Sequence, residues 1–253
     1  NFYSPFLKKM RIKELKKNKN FFFKKIDLEN KKKIENVFKK NKIKIVVHLA
    51  AQAGVRDSLK MPNSYYKSNF IGFVNIINIS GANKVKKFIY ASSSSVYGDK
   101  KKFPLKENID ISPKNIYSAT KKINEDIAND MSKISNMKMI GLRFFTVYGI
   151  FGRPDMFIFK FLNSIFNNKK FYLYNRGNHL RDYTHIDDVV NIIVNLIKKR
   201  IAKKFQIFNI CSNNPIELNK LVKFISNFVN IKPKLIKKKR NSIEVLKTHG
   251  DNK

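Results

Sequence analysis

Residues 86–98 read KKFIYASSSSVYG, an apolar segment that runs directly into four serines. A short apolar run between polar residues predicts a buried strand, here Phe88 to Ser92. In open α/β sheets, ligands bind in the crevice at the carboxyl ends of the strands. We therefore expect Ser93 to lie at the rim of a binding crevice, with its hydroxyl available to a substrate oxygen. Ser92 is interpreted as an ordinary polar residue of the strand exit.

Similar apolar runs alternate with charged amphipathic stretches along most of the chain, which is typical of repeated β-α units and a parallel sheet. The predicted strands are Phe21 to Ile26, Ile43 to Leu49, Phe88 to Ser92, Met139 to Phe145 and Gln206 to Cys211. The predicted helices are Glu29 to Lys40, Ser64 to Gly81, Asn115 to Ile134, Met156 to Asn167, Ile186 to Lys199 and Leu218 to Val229. Residues 150–181 are irregular and aromatic, and Phe171 to Tyr174 predicts a short strand outside the main sheet.

Tyr117 precedes Lys121 by four residues in the predicted helix from Asn115. Residues four apart lie on one face of a helix, so the lysine ammonium can approach the phenol and a bound ribose together. A free tyrosine titrates near pH 10, and a nearby cation favours the phenolate. The spacing therefore predicts an acidic phenol that acts as a base. The alternative is an ordinary exposed pair of helix residues.

Composition limits the class of protein. The chain has 253 residues and 43% hydrophobic content, which predicts a globular protein with a large core. Its net charge of +35 would ordinarily suggest nucleic acid, but the excess is mostly lysine spread along every segment, so no specific nucleic-acid partner is predicted. The single cysteine, Cys211, is expected in the core, and no membrane span or metal site is predicted. We expect a cytoplasmic protein.

Four sequence blocks carry a resemblance that spans almost the whole chain. They are HLAAQAGVR at 48–56, the serine block to Gly98 with Tyr117 and Lys121, GLRFFTVYG at 141–149 continuing to GRPDM at 152–156, and RDYTHIDD at 181–188. In order and spacing these blocks resemble the extended short-chain dehydrogenase/reductases of the NAD-dependent epimerase/dehydratase family. Within that family they are most similar to the UDP-glucuronate 4-epimerases, with the UDP-galactose 4-epimerases close behind.

The resemblance implies a Rossmann-like, doubly wound parallel sheet with a smaller carboxyl-terminal substrate-binding lobe. The family begins with a strand, a glycine-rich turn and a helix, and no such glycine cluster occurs near Asn1. We therefore expect a fragment that lacks the first β-α-β unit, with doubtful activity of its own. Residues 1–149, completed by about 183–212, would form the NAD-binding domain, and residues 150–182 and 213–253 the sugar-nucleotide lobe.

The resemblance also assigns roles to individual residues. The catalytic residues would be Tyr117, Lys121 and Ser93. The residues expected to contact NAD are Asp27, Leu49, Ala50, Ala51, Asn69, Tyr117, Lys121 and Phe145. From its sequence context, Asp27 could equally cap the helix that follows it. His48, on an apolar strand, is interpreted as a core residue.

For the substrate, the resemblance places Ser94, Ser95 and Thr146 against a sugar carboxylate. Arg153 would be a nearby cation, or alternatively form a salt bridge with Asp155. Arg181 would contact the diphosphate of a UDP-sugar, assisted by Arg56.

The implied reaction is NAD-dependent epimerisation at C4 of a UDP-sugar through a 4-keto intermediate, with Tyr117 as base. Related 4,6-dehydratases carry Asp-Glu after the serine hydroxyl, whereas this chain has Ser94 and Ser95. Epimerisation is therefore favoured over dehydration, and the resemblance implies UDP-glucuronate as the substrate, converted to UDP-galacturonate. Three alternatives stay open: another nucleotide-sugar epimerase or dehydratase, an inactive fragment, and a basic protein that binds polyanions. A homodimer is expected, because helices equivalent to Ser64–Gly81 and Asn115–Ile134 pair subunits in the family.

Overall fold

The computed structural model describes residues 3–239 and 245–253. The α-helices are α1 Pro5–Leu15, α2 Lys31–Lys40, α3 Val55–Lys60, α4 Pro62–Tyr65, α5 Gly72–Ala82, α6 Ile116–Ile134, α7 Phe157–Phe166, α8 Ile186–Lys198 and α9 Leu218–Phe228. The strands are β1 Ile45–His48, β2 Lys87–Ser93, β3 Lys138–Phe144, β4 Thr146–Tyr148, β5 Lys170–Leu173, β6 Leu180–His185, β7 Phe205–Ile210, β8 Pro215–Glu217 and β9 Lys234–Lys237.

The main sheet is parallel, with the strand order β1-β2-β3-β7. Alternate side chains of β2 pack on opposite faces, as the pleat of a strand requires. Phe88 and Tyr90 join a core cluster with α2, α5 and α6, whereas Ile89 joins a second cluster with α8. Helices therefore cover both faces, and the predicted α/β, Rossmann-like class is confirmed.

The prediction of a strand from Phe21 to Ile26 is wrong. Residues 21–27 carry no strand hydrogen bonds, because no described strand pairs with them. The segment is instead held by packing: Ile26 and Leu28 lie against the first core cluster, and Asn75 donates a 2.9 Å hydrogen bond to the Leu28 carbonyl oxygen.

The predicted helix boundaries need three corrections. The helix expected from Glu29 begins at Lys31, and its N-cap is Asn30, whose side chain accepts from the Lys33 amide. The run from Pro62 to Ala82 is interrupted by a π-helical segment at Tyr66–Ile71, a feature that is frequent near functional sites. Helix α1 was not predicted, because it buries none of its residues and so lacks an apolar periodicity.

A second group of elements packs beside the main sheet. Strand β5 pairs with β9, and α7 and α9 share a separate core cluster with β5. The predicted strand outside the main sheet is therefore confirmed at Lys170–Leu173. The strands β4, β6 and β8 form a third sheet, separate from the main sheet and from the β5-β9 pair. The division into two lobes stays a prediction, and its residues 1, 2 and 240–244 lie outside the described residues.

None of the helices in residues 3–239 and 245–253 combines the length and apolar character that crossing a bilayer requires. Cys211 is buried at the end of β7, and burial raises the pKa of its thiol to about 12.

His48 ends β1 inside the core, where its ring packs against Phe73 and Phe88. Burial, followed by the charge of Lys121, lowers the pKa of His48 from 6.5 to about 4. The imidazole is therefore neutral at pH 7. This environment matches the expected core role.

We expect His48 to make the protein acid-sensitive. Below its usual pKa of 6.5 the unfolded chain binds a proton that the folded protein does not bind until about pH 4, so stability falls through that window. The lost free energy of unfolding would approach about 3 kcal/mol. Urea denaturation at several pH values measures this loss. His48→Gln should flatten the acid slope, and an unchanged slope in that variant would contradict the prediction.

Candidate functional site

The site forms where helix α6 meets the carboxyl end of β2. The helix starts with a capping box, in which the Asn115 side chain accepts from the Ser118 amide and the Ser118 hydroxyl accepts from the Asn115 amide. This cap fixes the first turn, which carries Tyr117. One turn later, Lys121 is 2% exposed and its ammonium donates a 2.7 Å hydrogen bond to the Ala91 carbonyl oxygen of β2.

Ser93 connects the sheet to the phenol. Its hydroxyl accepts from the Ser95 hydroxyl at 2.8 Å and the Ser95 amide at 3.2 Å, and it lies close enough to Tyr117 to help lower the pKa of the phenol. The hydroxyls of Ser95, Ser93 and Tyr117 therefore lie together at the rim of the sheet. The structure thus brings together the predicted catalytic residues Ser93, Tyr117 and Lys121.

The phenol is less acidic than the sequence suggests. Burial raises the pKa of Tyr117 above its usual value of 10, while the Ser93 hydrogen bond and the charge of Arg153 lower it in part. The Lys121 ammonium lies 6.0 Å from the ring centroid and is directed to the Ala91 carbonyl oxygen. In the protein without bound ligands the pKa of the phenol is therefore raised, because loss of hydration outweighs the nearby cations, and the acidic phenol stays a prediction for the protein with its cofactor bound.

Lys121 is itself strongly influenced by burial. Loss of water contacts lowers the pKa of its ammonium to about 8, and the charge of Glu125 opposes that shift. At pH 7 the lysine is mostly protonated. It is a buried cation that contacts the backbone of the strand end and lies beside the phenol.

The loop after β1 is held in place by Asn69 from the π-helical segment. The Asn69 side chain accepts from the Gln52 amide at 2.7 Å and donates to the Gln52 carbonyl oxygen at 3.0 Å. Tyr65 donates to the carbonyl oxygens of Ala53 and Gly54. Both side chains therefore shape the loop, and Asn69 also donates a 3.2 Å hydrogen bond to the Thr120 hydroxyl of α6.

The same loop presents a surface that fits a dinucleotide. Leu49 is 51% exposed although it directly follows a buried strand, and it adjoins Ala50 and Ala51. Methyl-sized side chains let a ligand approach the backbone closely at a strand end. With the buried Lys121 ammonium and the Tyr117 hydroxyl at the neighbouring strand end, the residues present suit an apolar ring joined to a ribose.

Two residues predicted to contact the cofactor have other contacts here. Asp27 is exposed and accepts from the Glu29 amide at 3.1 Å in a turn, so it does not cap α2. The Phe145 ring is buried with Tyr97 and Cys211. Their cofactor roles stay predictions.

Arg153 lies close to the phenol and forms a two-pronged pair with Asp155, with its Nε atom 2.9 Å from Oδ1. Its charge acts on both Tyr117 and Tyr65, whose rings pack edge to face at 6.3 Å. The salt bridge that the sequence left open is therefore present, and it lies beside the catalytic candidates.

The remaining substrate candidates are spread around this centre. Ser94 and Ser95 are half-buried in the 3-10 turn after β2, and Thr146 starts β4. Arg181 donates to the carbonyl oxygens of Val245 and Leu246, and the Arg56 guanidinium lies 4.4 Å above the Tyr174 ring. Arg181 and Arg56 therefore have other contacts in this structure, and their roles toward the substrate stay predictions.

An apolar pocket of about 230 Å³ flanks the site. It is lined by Thr146, Gly149, Phe157 and Tyr183 among others, and it does not include Ser93 or Tyr117. It therefore extends the region around Thr146 and lies apart from the polar centre.

The sequence interpretation missed two charged residues under the site. Glu125 on α6 accepts a 2.5 Å hydrogen bond from Ser92, and Arg143 on β3 pairs with both of its carboxylate oxygens. The signal was available, because Glu125 follows Lys121 by four residues and continues the helix face of Tyr117. Ser92 was expected to be an ordinary polar residue where the strand ends, and it is part of this buried network.

Comparison with known proteins gives a consistent result. The NAD dependent epimerase/dehydratase family matches residues 7–211. Protein CapI of Staphylococcus aureus is 42% identical over 245 residues, covering 90% of this chain and 73% of that protein. UDP-glucuronate 4-epimerase 4 of Arabidopsis thaliana is 36% identical over 269 residues, covering 99% of this chain and 61% of that protein. The chain thus spans about three fifths of the length of the plant relative.

Among solved structures, the UDP-glucuronic acid 4-epimerase from Bacillus cereus, in complex with UDP-glucuronic acid and NAD, superposes with a TM-score of 0.90 at 27% identity. The match covers 99% of this chain and 80% of that one. With the family match over most of the sequence and the Ser93, Tyr117 and Lys121 cluster at the sheet rim, these findings show that the chain belongs to the NAD-dependent epimerase/dehydratase family.

Proposed function

We propose that this chain carries the active site of an NAD-dependent UDP-sugar 4-epimerase. The observation that carries the proposal is the position of Ser93 and Tyr117 beside the buried Lys121 ammonium. At a parallel sheet rim, Tyr117 as a phenolate can accept a proton from a sugar hydroxyl that the Ser93 hydroxyl orients. The UDP-glucuronate 4-epimerases among the relatives support the same reaction class.

Tyr117 would act as the base, with the hydroxyls of Ser93 and Ser95 beside it. Tyr117 Oη accepts the proton of the sugar 4-hydroxyl, and Ser93 Oγ orients that hydroxyl while it is hydrogen-bonded to Ser95. The same oxygen returns the proton when the sugar has turned over in the site. The raised pKa of Tyr117 favours the neutral phenol until a bound ligand places positive charge nearby.

NAD would be held by the loop at Leu49 to Ala51, by the Tyr117 hydroxyl and by Lys121. When bound, NAD supplies a hydride acceptor that returns the hydride to the sugar, so the overall reaction is redox-neutral. The protein residues orient the sugar C4 position and exclude water from it. Asp27, Asn69 and Phe145 are kept as further candidate contacts on the strength of the family resemblance.

UDP-glucuronate is the proposed substrate. Ser94, Ser95 and Thr146 offer hydroxyl donors for a sugar carboxylate, and Arg153 adds a cation. The 4-keto form of a uronate is a β-keto acid that readily loses carbon dioxide, so fixing its carboxylate protects the intermediate. Asp155 already pairs with Arg153, so Arg153 would contribute less to binding the sugar carboxylate than an unpaired arginine would.

Binding of the diphosphate is assigned to Arg181, with Arg56 assisting, because a guanidinium can hold two phosphate oxygens. A homodimer is also proposed. Phe70, Ile71 and Ile123 are exposed on the π-helical segment and on α6, the two elements expected to face a second copy. The cytoplasmic location stays a prediction.

Tyr117→Phe tests the base directly in a protein containing this chain. It removes the oxygen that accepts the proton, so turnover of the UDP-sugar should fall by about 100-fold or more. NAD affinity, measured by calorimetry, should fall far less than turnover, because the loop at Leu49 to Ala51 and Lys121 would still hold the dinucleotide. Tyr172→Phe removes a hydroxyl from a partly exposed tyrosine of β5 and serves as the control. Near-normal turnover in Tyr117→Phe would exclude this residue as the base.

Substrate preference tests the carboxylate contacts. UDP-glucuronate should be turned over with a higher kcat/KM than UDP-glucose, and Thr146→Val should reduce that advantage by about 10-fold, since a hydrogen bond to a charged group contributes about 1.5–3 kcal/mol. Thr146→Ser keeps the hydroxyl and should retain the preference. A wild-type preference for the neutral sugar would defeat the uronate assignment and favour a UDP-glucose epimerase.

A further inference from the structure

Helix α6 contacts the last three residues of β2 one after another. Two of the contacts are hydrogen bonds and the third is the approach of Ser93 to Tyr117, and the helix residues involved are four apart on one face. The three pairs are Ala91 with Lys121, Ser92 with Glu125 and Ser93 with Tyr117. Tyr117 and Lys121 therefore make two of the three contacts with the strand end, and Glu125 makes the third.

Both oxygens of the Glu125 carboxylate accept hydrogen bonds. Its Oε1 atom accepts from Ser92 Oγ at 2.5 Å and from Arg143 Nε at 2.9 Å, and its Oε2 atom accepts from Arg143 Nη2 at 2.8 Å. Both charged side chains are only 4% exposed. A buried ion pair of this kind is geometrically specific, because a shift of either partner would leave a desolvated charge unpaired.

Arg143 is fixed from the opposite side. Its Nη1 atom donates to the Glu107 carbonyl oxygen at 3.1 Å, and its guanidinium lies 4.7 Å from the centre of the Tyr97 ring. Tyr97 in turn donates to Asn209 on β7 at 2.7 Å. The position of Glu125 is therefore set by three strands of the main sheet.

We propose that Glu125, oriented by Arg143, is a positioning residue for the Ser93–Tyr117–Lys121 site: it fixes α6 against the strand end and places a negative charge one helical turn from Lys121. The inference rests on the proposed function for its role in turnover. Glu125 contacts neither the phenol nor the Ser93 hydroxyl, so it acts through Lys121 and Ser92.

The charges around Lys121 support this role. Burial lowers the pKa of Lys121 to about 8, and Glu125 acts in the opposite direction. The other groups near Lys121 are His48 on β1, whose lowered pKa keeps it neutral, Tyr117, whose raised pKa keeps it neutral, and Arg143, which is a cation. Glu125 is thus the anion that keeps this buried ammonium protonated at neutral pH.

The test is the titration of Lys121 in the intact chain, followed by ¹⁵N NMR of lysine side chains and assigned by the signal that disappears in Lys121→Met. Glu125→Gln preserves shape but removes the charge. It should lower the Lys121 titration midpoint by about 0.5 unit or more. Asp126→Asn is the matched control, because Asp126 is the next residue on α6 and pairs with the surface residue Lys122. It should leave the midpoint unchanged.

Arg143 is left without its partner in Glu125→Gln, so the double variant Glu125→Gln/Arg143→Gln is measured as well. Loss of the Arg143 cation acts in the opposite direction, so the double variant should lower the midpoint by less than Glu125→Gln does, and circular dichroism checks that it is folded. An unchanged midpoint in both variants, or an equal shift in Asp126→Asn, would overturn the proposal.

Turnover separates this inference from the proposed function. If the wild-type protein epimerises a UDP-sugar, Glu125→Gln should move the alkaline limb of its pH–rate profile to lower pH, and Asp126→Asn should not. A wild-type protein that turns over no UDP-sugar, but whose Lys121 midpoint still shifts in Glu125→Gln, would refute the proposed function and leave the electrostatic role of Glu125 intact.

Discussion

The arrangement of the site depends on the docking of one helix against the carboxyl end of one strand. Polar groups at that junction are removed from water, so each must find a partner within the protein. The Lys121 ammonium binds a strand carbonyl oxygen, and Glu125 binds Ser92 and Arg143. These contacts fix the position of α6 along β2, and that position brings the Tyr117 hydroxyl beside Ser93.

The same burial sets the electrostatics. Desolvation makes the phenol harder to ionise and the ammonium easier to deprotonate, so the two groups, whose pKa values are nearly equal in water, are driven apart in the fold. The Ser93 hydroxyl and the Arg153 charge partly stabilise the phenolate, and a positively charged ligand ring would add to them.

Local sequence patterns predicted much of this structure. The apolar runs placed β1, β2, β3 and β7, and the Tyr117–Lys121 spacing identified the helix face that meets the sheet. The strand expected at Phe21 to Ile26 was wrong, since a strand needs a neighbour for its hydrogen bonds and periodicity alone does not supply one. The pKa of Tyr117 could not be predicted either, because it depends on burial that only the packed fold creates.

The interactions that the sequence did not reveal are long-range. Glu125 and Arg143 are 18 residues apart, and Asn69 shapes a loop 17 residues before it. The spacing of Glu125 from Lys121 indicates the helix face on which it lies, but its partner Arg143 becomes apparent only in the fold. The contacts of Arg181 with Val245 and of Arg56 with Tyr174 are likewise visible only in three dimensions.

Titration of Tyr117 by ¹³C NMR of labelled tyrosine rings, assigned by comparison with Tyr117→Phe, tests the link between the phenol and Ser93 most directly. In the protein without ligands the phenol should titrate above its usual pKa of 10, and Ser93→Ala should raise that pKa further because the stabilising hydrogen bond is lost. A phenol that titrates at or below 10, or a pKa that Ser93→Ala leaves unchanged, would contradict the account.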